Sequence, residues 1–190
     1  MARWIYERAG FDQAEPPGPS RIAAALGIQI ATAPKRGAWG HGCLVRLSGQ
    51  WQVWLAPGLP AQHKAFAIAH ELAEWAFRDS GIDELEPLCD ATAGAILAPR
   101  KAFASVTGHA PDFAALAKMF RTTESCVALR FGEVVGHPLA LVSPRLVRVR
   151  GEDWCWPDEQ GIRRLVSRPN KNVRVVSLSD DRERRVILAA

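Results

Sequence analysis

Three ionisable side chains lie close together on one predicted helix that is otherwise apolar. The stretch from residue 61 to residue 77 has helical periodicity and contains His70, Glu71 and Glu74. At about 100° per residue, Glu74 falls about 40° and Glu71 about 100° from His70. His70 and Glu74 are one turn apart, so both side chains could reach one ion. Helices that read H-E-x-x-H use this spacing: two residues bind a metal, and the intervening Glu stands beside the bound water.

The same sector of this helix also carries residues that are typical of a solvated surface. His63, Lys64 and Arg78 fall within the same arc of the helical wheel. In this alternative interpretation, Glu74 forms an ordinary ion pair with Arg78, four residues further along the helix. The helix alone leaves both interpretations open.

The next predicted helix, from about residue 83 to residue 98, supplies two more carboxylates. Glu86 and Asp90 are again i and i+4 neighbours, and the rest of the helix is small and apolar, which allows a close approach to the first helix. Glu86 is the candidate third metal ligand. Asp90 is the candidate acceptor for the second ring N–H of His70, which would fix the tautomer of the imidazole. An alternative remains for Glu86, because Asp83 and Glu86 also match a D-x-x-E capping pattern.

Three ordered segments resemble the ImmA/IrrE family of metallopeptidases. They are AIAHELAEWAF, then an acidic residue followed by ATAGAILAP, then LAKMFRTTESCVALRFGEV. Members of the family commonly read A-H-E-L-G-H, then a Glu before A-N-x-F-A-A-x-L-L-M-P, then LA-x-x-F-x-V-S-x-x-x-V-x-x-R-L. The resemblance covers about residues 20–135. It implies a zincin-like fold, in which a small sheet is backed by the H-E helix and the third-ligand helix packs across it.

The resemblance also implies a role for each candidate residue. His70 matches the first metal ligand, Glu71 the general base and Glu86 the glutamate ligand, while Asp90 falls where Asn or Asp usually follows. Glu74 stands where the family has its second histidine. A carboxylate there can still bind zinc at about 2.0–2.2 Å, but it reduces the Lewis acidity of the ion and favours harder metals. The implied cofactor is Zn²⁺, with Mn²⁺ or another divalent ion as the alternative.

The implied activity is that of a metal-dependent endopeptidase, or of a weakened homologue, which cleaves a protein such as a DNA-binding repressor through a metal-activated water. A second class of function also fits the sequence. Residues 112–135 predict a helix, a short turn and a second helix, as in a helix-turn-helix, with Lys118, Arg121 and Arg130 available for phosphates. A non-catalytic regulatory module that binds DNA or protein would use this segment together with basic C-terminal strands.

The periodicity along the whole chain predicts an α+β fold. A loosely packed lead-in of about twenty residues, a short helix and a small sheet with a hairpin at Ser48-Gly49 precede four helices. After residue 137 the period changes to two, which predicts short strands, among them IRRLVS. We therefore expect residues 1–137 to form the zincin-like domain, including the helix-turn-helix-like segment, and residues 138–190 to form a small, basic, β-rich unit.

Length and composition narrow the class of protein. A chain of 190 residues with 48% hydrophobic residues can bury a sizeable core, which excludes a disordered chain. No apolar run approaches the ~18 residues of a membrane helix. The four cysteines form no C-x-x-C pair and the first twenty residues lack the apolar core of a signal peptide, so we expect a reduced, cytoplasmic protein. The net charge of +4 arises in residues 138–190, which hold eleven basic and seven acidic residues.

Overall fold

The computed structural model describes residues 1–35, 40–108, 111–144, 147–151, 155–179 and 183–189, and these residues form eight helices and seven strands. The helices are α1 (Ala2–Ala9), α2 (Pro19–Ala25), α3 (Ala61–Phe77), α4 (Glu86–Leu97), α5 (Arg100–Val106), α6 (Phe113–Phe120), α7 (Glu124–Val135) and α8 (Glu159–Ser167). The strands are β1 (Gln29–Thr32), β2 (Gly42–Leu47), β3 (Gln50–Leu55), β4 (Leu139–Val142), β5 (Val147–Arg150), β6 (Val173–Ser177) and β7 (Arg185–Ala189). The predicted α+β class is confirmed.

The chain divides into two compact units. The first contains Met1–Ser105 and Phe120–Thr122, and the second contains Val106–Met119 and Thr123–Ala190. The boundary that we predicted after residue 137 falls inside the second unit. Most of the helix-turn-helix-like segment therefore belongs to the same unit as the C-terminal strands.

A three-stranded sheet forms one layer of the first unit. Its central strand, β3, runs parallel to β1 and antiparallel to β2. The predicted hairpin is confirmed, because Ser48 and Gly49 join β2 to β3 with φ angles of 50° and 83°. Two successive positive φ angles are typical of the tight turns whose twist matches that of the flanking strands. The helix α3 packs against β2 and β3.

Small side chains allow α3 and α4 to pack closely against each other in the first unit. Ala69 and Ala73 of α3 and Ala93 of α4 are completely buried. Close helix packing needs small residues where the two backbones approach, and these alanines supply them. The bounds of α3 agree with the predicted helix at both ends, and α4 begins at Glu86, followed by Pro87 in the first turn, where proline is tolerated.

The predicted lead-in is wrong, because residues 2–9 form α1 and pack on the first unit. Ile5 is 0% exposed and Tyr6 is 1% exposed, and the Tyr6 hydroxyl donates to the carbonyl oxygen of Ile96 at 2.6 Å. Burial without water raises the pKa of the Tyr6 hydroxyl, so it stays a hydrogen-bond donor. A helix of eight residues has little intrinsic stability, and tertiary burial decides its formation.

The second unit contains a four-stranded antiparallel sheet in the order β5-β4-β7-β6. The predicted strand IRRLVS is wrong, because these residues lie in α8. Ile162, Leu165 and Val166 recur at helical spacing and pack on the apolar face of the sheet. The Asp158 carboxylate caps the helix by accepting a hydrogen bond from the Gly161 amide at 2.7 Å.

The helix α7 packs closely on the sheet of the second unit. A Cβ atom at Gly132 would lie 2.6 Å from the Cβ atom of Arg150 and 3.2 Å from the Leu139 side chain. The absence of a side chain at this position therefore sets the distance between α7 and β4–β5.

In the part of the chain that the structure describes, we find no helix with the length and apolar character to span a membrane.

Candidate metal-binding and catalytic site

The imidazole of His70 lies between two carboxylates of α4. Its Nδ1 atom is 3.0 Å from Oδ1 of Asp90, and its Nε2 atom is 3.4 Å from Oε2 of Glu86. The side chains of His70 and Asp90 are mostly buried, whereas 86% of the Glu86 side chain is exposed. An ionised carboxylate only accepts hydrogen bonds. In this arrangement Nδ1 therefore carries a proton and donates a hydrogen bond to Asp90.

The distance between Nε2 of His70 and Oε2 of Glu86 is that of two ligands on one ion. Two atoms that each lie about 2.0–2.1 Å from a tetrahedral zinc ion are about 3.4 Å apart. Both atoms carry lone pairs, so a proton or a cation must stand between them to make the contact favourable. Burial lowers the pKa of His70, but the hydrogen bond to Asp90 and the surrounding carboxylates outweigh it, and the pKa is raised above its ordinary value.

Glu71 points from α3 toward the start of strand β2. The residue is only 5% exposed, and a Cβ atom at Gly42 would come within 3.1 Å of Oε1 of Glu71. The other oxygen, Oε2, is buried and has no hydrogen-bond partner among the described residues. A buried carboxyl oxygen without a partner is costly in a folded protein, and it marks a position where a ligand or a water is expected.

Glu74 is the neighbour of Glu71 rather than of Glu86. Burial raises the pKa of Glu71 first, and the hydrogen bond to Glu74 and its charge raise it further, to about 8. Glu71 therefore keeps its proton at neutral pH and is hydrogen-bonded to Glu74. This arrangement is expected when two carboxylates face each other without a cation between them.

The described residues do not present a complete set of metal ligands. No group of three or more His, Cys, Asp or Glu side chains within them is arranged to hold a metal ion. Two of the three predicted ligands, His70 and Glu86, have the spacing that a tetrahedral ion needs, and Asp90 lies behind the imidazole. The third, Glu74, is one helical turn from His70 but is engaged with Glu71. The donor set of one imidazole and two carboxylates suits a divalent ion.

The solvated-face interpretation of α3 does not agree with the contacts of its residues. Within the described chain Glu74 forms no ion pair with Arg78, whose guanidinium instead contacts the Asp79 carboxylate at 3.2 Å and lies over the Trp75 ring. His63 stacks on His41, with 5.5 Å between the ring centroids. Together with the burial of Glu71, these contacts leave the acidic residues of α3 turned toward β2 and α4.

The capping interpretation of Glu86 is also not supported. The helix α4 begins at Glu86 itself, and its N-cap residue, Leu85, makes no side-chain capping hydrogen bond. A capping box would require Asp83 as the N-cap residue, two residues before Leu85. The Glu86 carboxylate is therefore available to His70.

Sequence reasoning missed two residues on strand β2 that border the site, Gly42 and Cys43. Burial and then the charges of Glu71 and Glu74 raise the pKa of the Cys43 thiol. Burial and the same group of carboxylates raise the pKa of Cys89 to about 12, which fits the sequence interpretation of a packed thiol. The sequence does contain a sign of the role of Gly42. A glycine in a strand often marks a place where another part of the chain or a ligand approaches the backbone closely.

The helix-turn-helix-like segment does not present an open recognition surface. Thr123 caps α7, and its side-chain oxygen accepts a hydrogen bond from the Cys126 amide at 3.2 Å. Every residue from 122 to 132 is buried or, at Leu129, half-buried. Arg130 is engaged with Glu133 at 3.1 Å. A recognition helix needs an exposed face to enter the major groove, and α7 has none in this conformation.

The comparisons with known proteins bear on the fold. No protein-family model matches the sequence, and no curated protein matches it. A solved structure of a Mycobacterium tuberculosis transcriptional regulator is similar, with a TM-score of 0.65 and 14% sequence identity. The similarity covers 100% of this chain and 86% of that chain. At this identity the likeness is one of fold.

Proposed function

We propose that the first unit is a metal-dependent endopeptidase of the ImmA/IrrE type, or a weakened homologue of one, acting on a protein substrate. The observation that carries the proposal is the position of the His70 imidazole between Asp90 and Glu86, at the spacing of two ligands on one ion. His70 and Glu86 would hold the ion, with Glu74 as the third ligand. Zn²⁺ is the first candidate, and Mn²⁺ the second because of the two carboxylates.

Each residue of the proposed site would have a distinct chemical role. A divalent ion bound here would supply a Lewis acid and an activated water. Asp90 orients His70 by accepting a hydrogen bond from Nδ1–H, which leaves Nε2 free to bind the ion. Once a bound cation has displaced the proton that Glu71 holds in the metal-free protein, its carboxylate would accept the proton of the attacking water. The buried Oε2 atom, which has no hydrogen-bond partner among the described residues, is the candidate acceptor. Gly42 leaves the space that the Glu71 carboxyl occupies.

An extended segment of protein is the substrate that fits the surroundings of Glu71. Among the described residues, β2 has a partner strand on one side only, which leaves its other edge open beside this side chain. A peptide can pair with an open strand edge through main-chain hydrogen bonds, which do not depend on its sequence. The resemblance to the family adds that the substrate would be a DNA-binding repressor. We place the reaction in the cytoplasm, in keeping with four cysteines that are all free.

The second candidate is a non-catalytic regulatory module that binds DNA or protein through residues 112–135. The fold likeness to a transcriptional regulator favours it. The burial of α7 weighs against it, because a helix with no exposed face cannot contact a groove. We therefore rank the hydrolase first.

Metal content and cleavage test the proposal in that order. Purified protein, stripped with EDTA and reloaded with Zn²⁺ or Mn²⁺, should retain near one equivalent of metal, and the His70→Ala variant should lose it. The Glu71→Gln variant should keep the metal, because it removes a proton acceptor and not a ligand. New N-termini in host protein extract, compared between wild type and Glu71→Gln, then reveal cleavage. Metal retention that is equal in wild type and His70→Ala would exclude the site.

A further inference from the structure

Four exposed cations of the second unit follow one another in the chain at the end of α8 and the start of β6, and they have no carboxylate partner among the described residues. They are Arg164, Arg168, Lys171 and Arg174, and we refer to them as the α8–β6 corner. All four are exposed, and none of their side chains contacts an acidic residue in the described part of the chain. Residues 160–179 contain five basic residues and no acidic residue. Within the described residues, this positive charge therefore has no carboxylate partner.

Other arginines of the same unit are engaged with protein groups. Arg150 contacts Glu133 at 3.1 Å, and Arg163 contacts Glu159 at 2.7 Å. Arg184 donates a hydrogen bond to the Ser125 hydroxyl at 3.0 Å. These contacts have a structural role, which separates them from the α8–β6 corner. Among the described residues of 138–190, the four cations of the α8–β6 corner therefore form one exposed set without carboxylate partners.

The fold brings the four cations to one end of the edge strand β6. Arg164 and Arg168 are one turn apart at the C-terminal end of α8, about 6 Å along the helix axis. Lys171 lies in the turn that follows, and Arg174 is the second residue of β6. Because Val173 packs toward α8, Arg174 points to the opposite face of the sheet. The α8–β6 corner therefore wraps around the sheet edge.

We infer that the α8–β6 corner binds the phosphate backbone of duplex nucleic acid. Arginine and lysine side chains with no internal partner neutralise phosphates, and this contact needs no base sequence. Asn170 and Asn172 lie between the cations and are exposed, and amide side chains also contact phosphate and sugar groups. No large hydrophobic side chain of the described residues 155–179 is exposed. Binding to a membrane surface would need such apolar anchors, so a membrane is disfavoured.

This surface is separate from the residues of the proposed peptidase and from the helix-turn-helix-like segment. It assigns nucleic-acid contact to α8 and β6, whereas the sequence pattern indicated the helix-turn-helix-like segment together with basic C-terminal strands. A protein that contacts duplex nucleic acid through one unit would hold its other unit near other proteins bound to the same duplex. The inference does not depend on metal or on hydrolysis, because a Glu71→Gln variant keeps the whole α8–β6 corner.

Fluorescence anisotropy with a labelled 20-base-pair DNA duplex, titrated at several salt concentrations, tests the inference. Each phosphate contact adds about 0.9 to the slope of log affinity against log salt. The fourfold variant Arg164→Ala, Arg168→Ala, Lys171→Ala, Arg174→Ala should reduce this slope by about 3.6 and weaken binding at least tenfold at 50 mM salt. Because all four side chains are exposed, the thermal melt of this variant should match that of wild type.

A matched pair of double variants distinguishes the effect of this surface on duplex binding from the effect of the net charge of the protein. The variant Arg164→Ala, Arg168→Ala should weaken binding several-fold, and Lys118→Ala, Arg121→Ala, which removes the same charge from the helix-turn-helix-like segment, should have a smaller effect. Equal losses in the two variants would overturn the inference, and so would an absence of duplex binding by wild type at 25 mM salt. Tighter, α8–β6-dependent binding of a poly-glutamate peptide or of phosphatidylserine vesicles would also overturn it.

Discussion

Asp90 of α4 fixes His70 of α3 through a hydrogen bond of 3.0 Å between side chains twenty residues apart in the chain. The bond reaches Nδ1, the nitrogen on the far side of the ring from Glu86. It favours the tautomer in which Nε2 would be free to bind the proposed ion, and it restricts rotation of the ring. The contact depends on the close approach of α3 and α4, which the small residues between these helices allow.

The first prediction concerns this hydrogen bond. Asp90→Asn should weaken Zn²⁺ binding by about 10–100-fold, since partners of metal-bound histidines have effects of this size. The residue is not itself a ligand, so the variant should still bind metal at high concentration. Competition with a chromogenic chelator measures the affinity. Asp79→Asn is the control, because its exposed carboxylate lies two residues beyond α3 and pairs with Arg78. An equal loss in both variants would contradict a specific role for Asp90.

The second prediction is that the metal-free protein loses stability as the pH rises. The pKa of Glu71 is about 8 in the folded protein, above the ordinary value of 4.5. Below about pH 4.5 both the folded and the unfolded states keep this proton, and the stability is fully present. Between about pH 4.5 and 8 the unfolded chain loses the proton and the folded chain keeps it. The free energy of unfolding therefore falls with pH by at most about 1.4 kcal/mol per unit from this group.

Urea unfolding in EDTA at pH 5, 6, 7 and 8 measures this dependence. The raised pKa of His70 acts in the same direction, so the contribution of Glu71 is isolated by comparison with Glu71→Gln. This variant should have a flatter profile. Glu84→Gln, which changes an exposed carboxyl, should follow wild type. Parallel profiles for wild type and Glu71→Gln would show that Glu71 does not keep its proton in the folded protein.

Periodicity predicted the elements that carry the site, because they are long or strongly patterned. The helix α3 and the hairpin at Ser48-Gly49 follow from local signals, and so does the turn between α6 and α7. Local signals failed for α1, whose stability comes from burial of Ile5 and Tyr6. They also failed for α8, where Val166 follows Leu165 directly and a short apolar run fits a strand as well as a helix.

The sequence predicted the contact between His70 and Asp90 but not the contact between Glu74 and Glu71. Spacing on two helices is enough to bring His70, Glu86 and Asp90 within reach of one another, once the helices pack. Spacing alone cannot determine that Glu74 turns to Glu71, because this depends on which carboxyl keeps a proton in a buried setting. The approach of Gly42 to Glu71 depends on long-range packing of β2, which periodicity does not report.

The third prediction concerns the packing of α7 on the sheet. Gly132→Ala would place a methyl group 2.6 Å from the Cβ atom of Arg150, a distance that requires the backbone to move. Overpacking of this kind should lower the free energy of unfolding by about 1–3 kcal/mol. Denaturant unfolding measures the change. Gly108→Ala is the control, since an added Cβ there meets no atom within 4 Å, and it should leave stability near that of wild type.

The last prediction restores the imidazole that the resemblance implies at position 74. Glu74→His removes the carboxyl that is hydrogen-bonded to Glu71 and supplies a neutral nitrogen one turn from His70. Zn²⁺ should then bind more tightly and stabilise the fold by mass action, about 2.7 kcal/mol at a hundredfold excess over Kd. Thermal melts with and without Zn²⁺ should shift more for Glu74→His than for wild type, and Glu84→His on the exposed loop should shift no more than wild type. If neither wild type nor Glu74→His responds to Zn²⁺, then His70 and Glu86 do not form part of a metal site, and their contact is an ordinary ion pair.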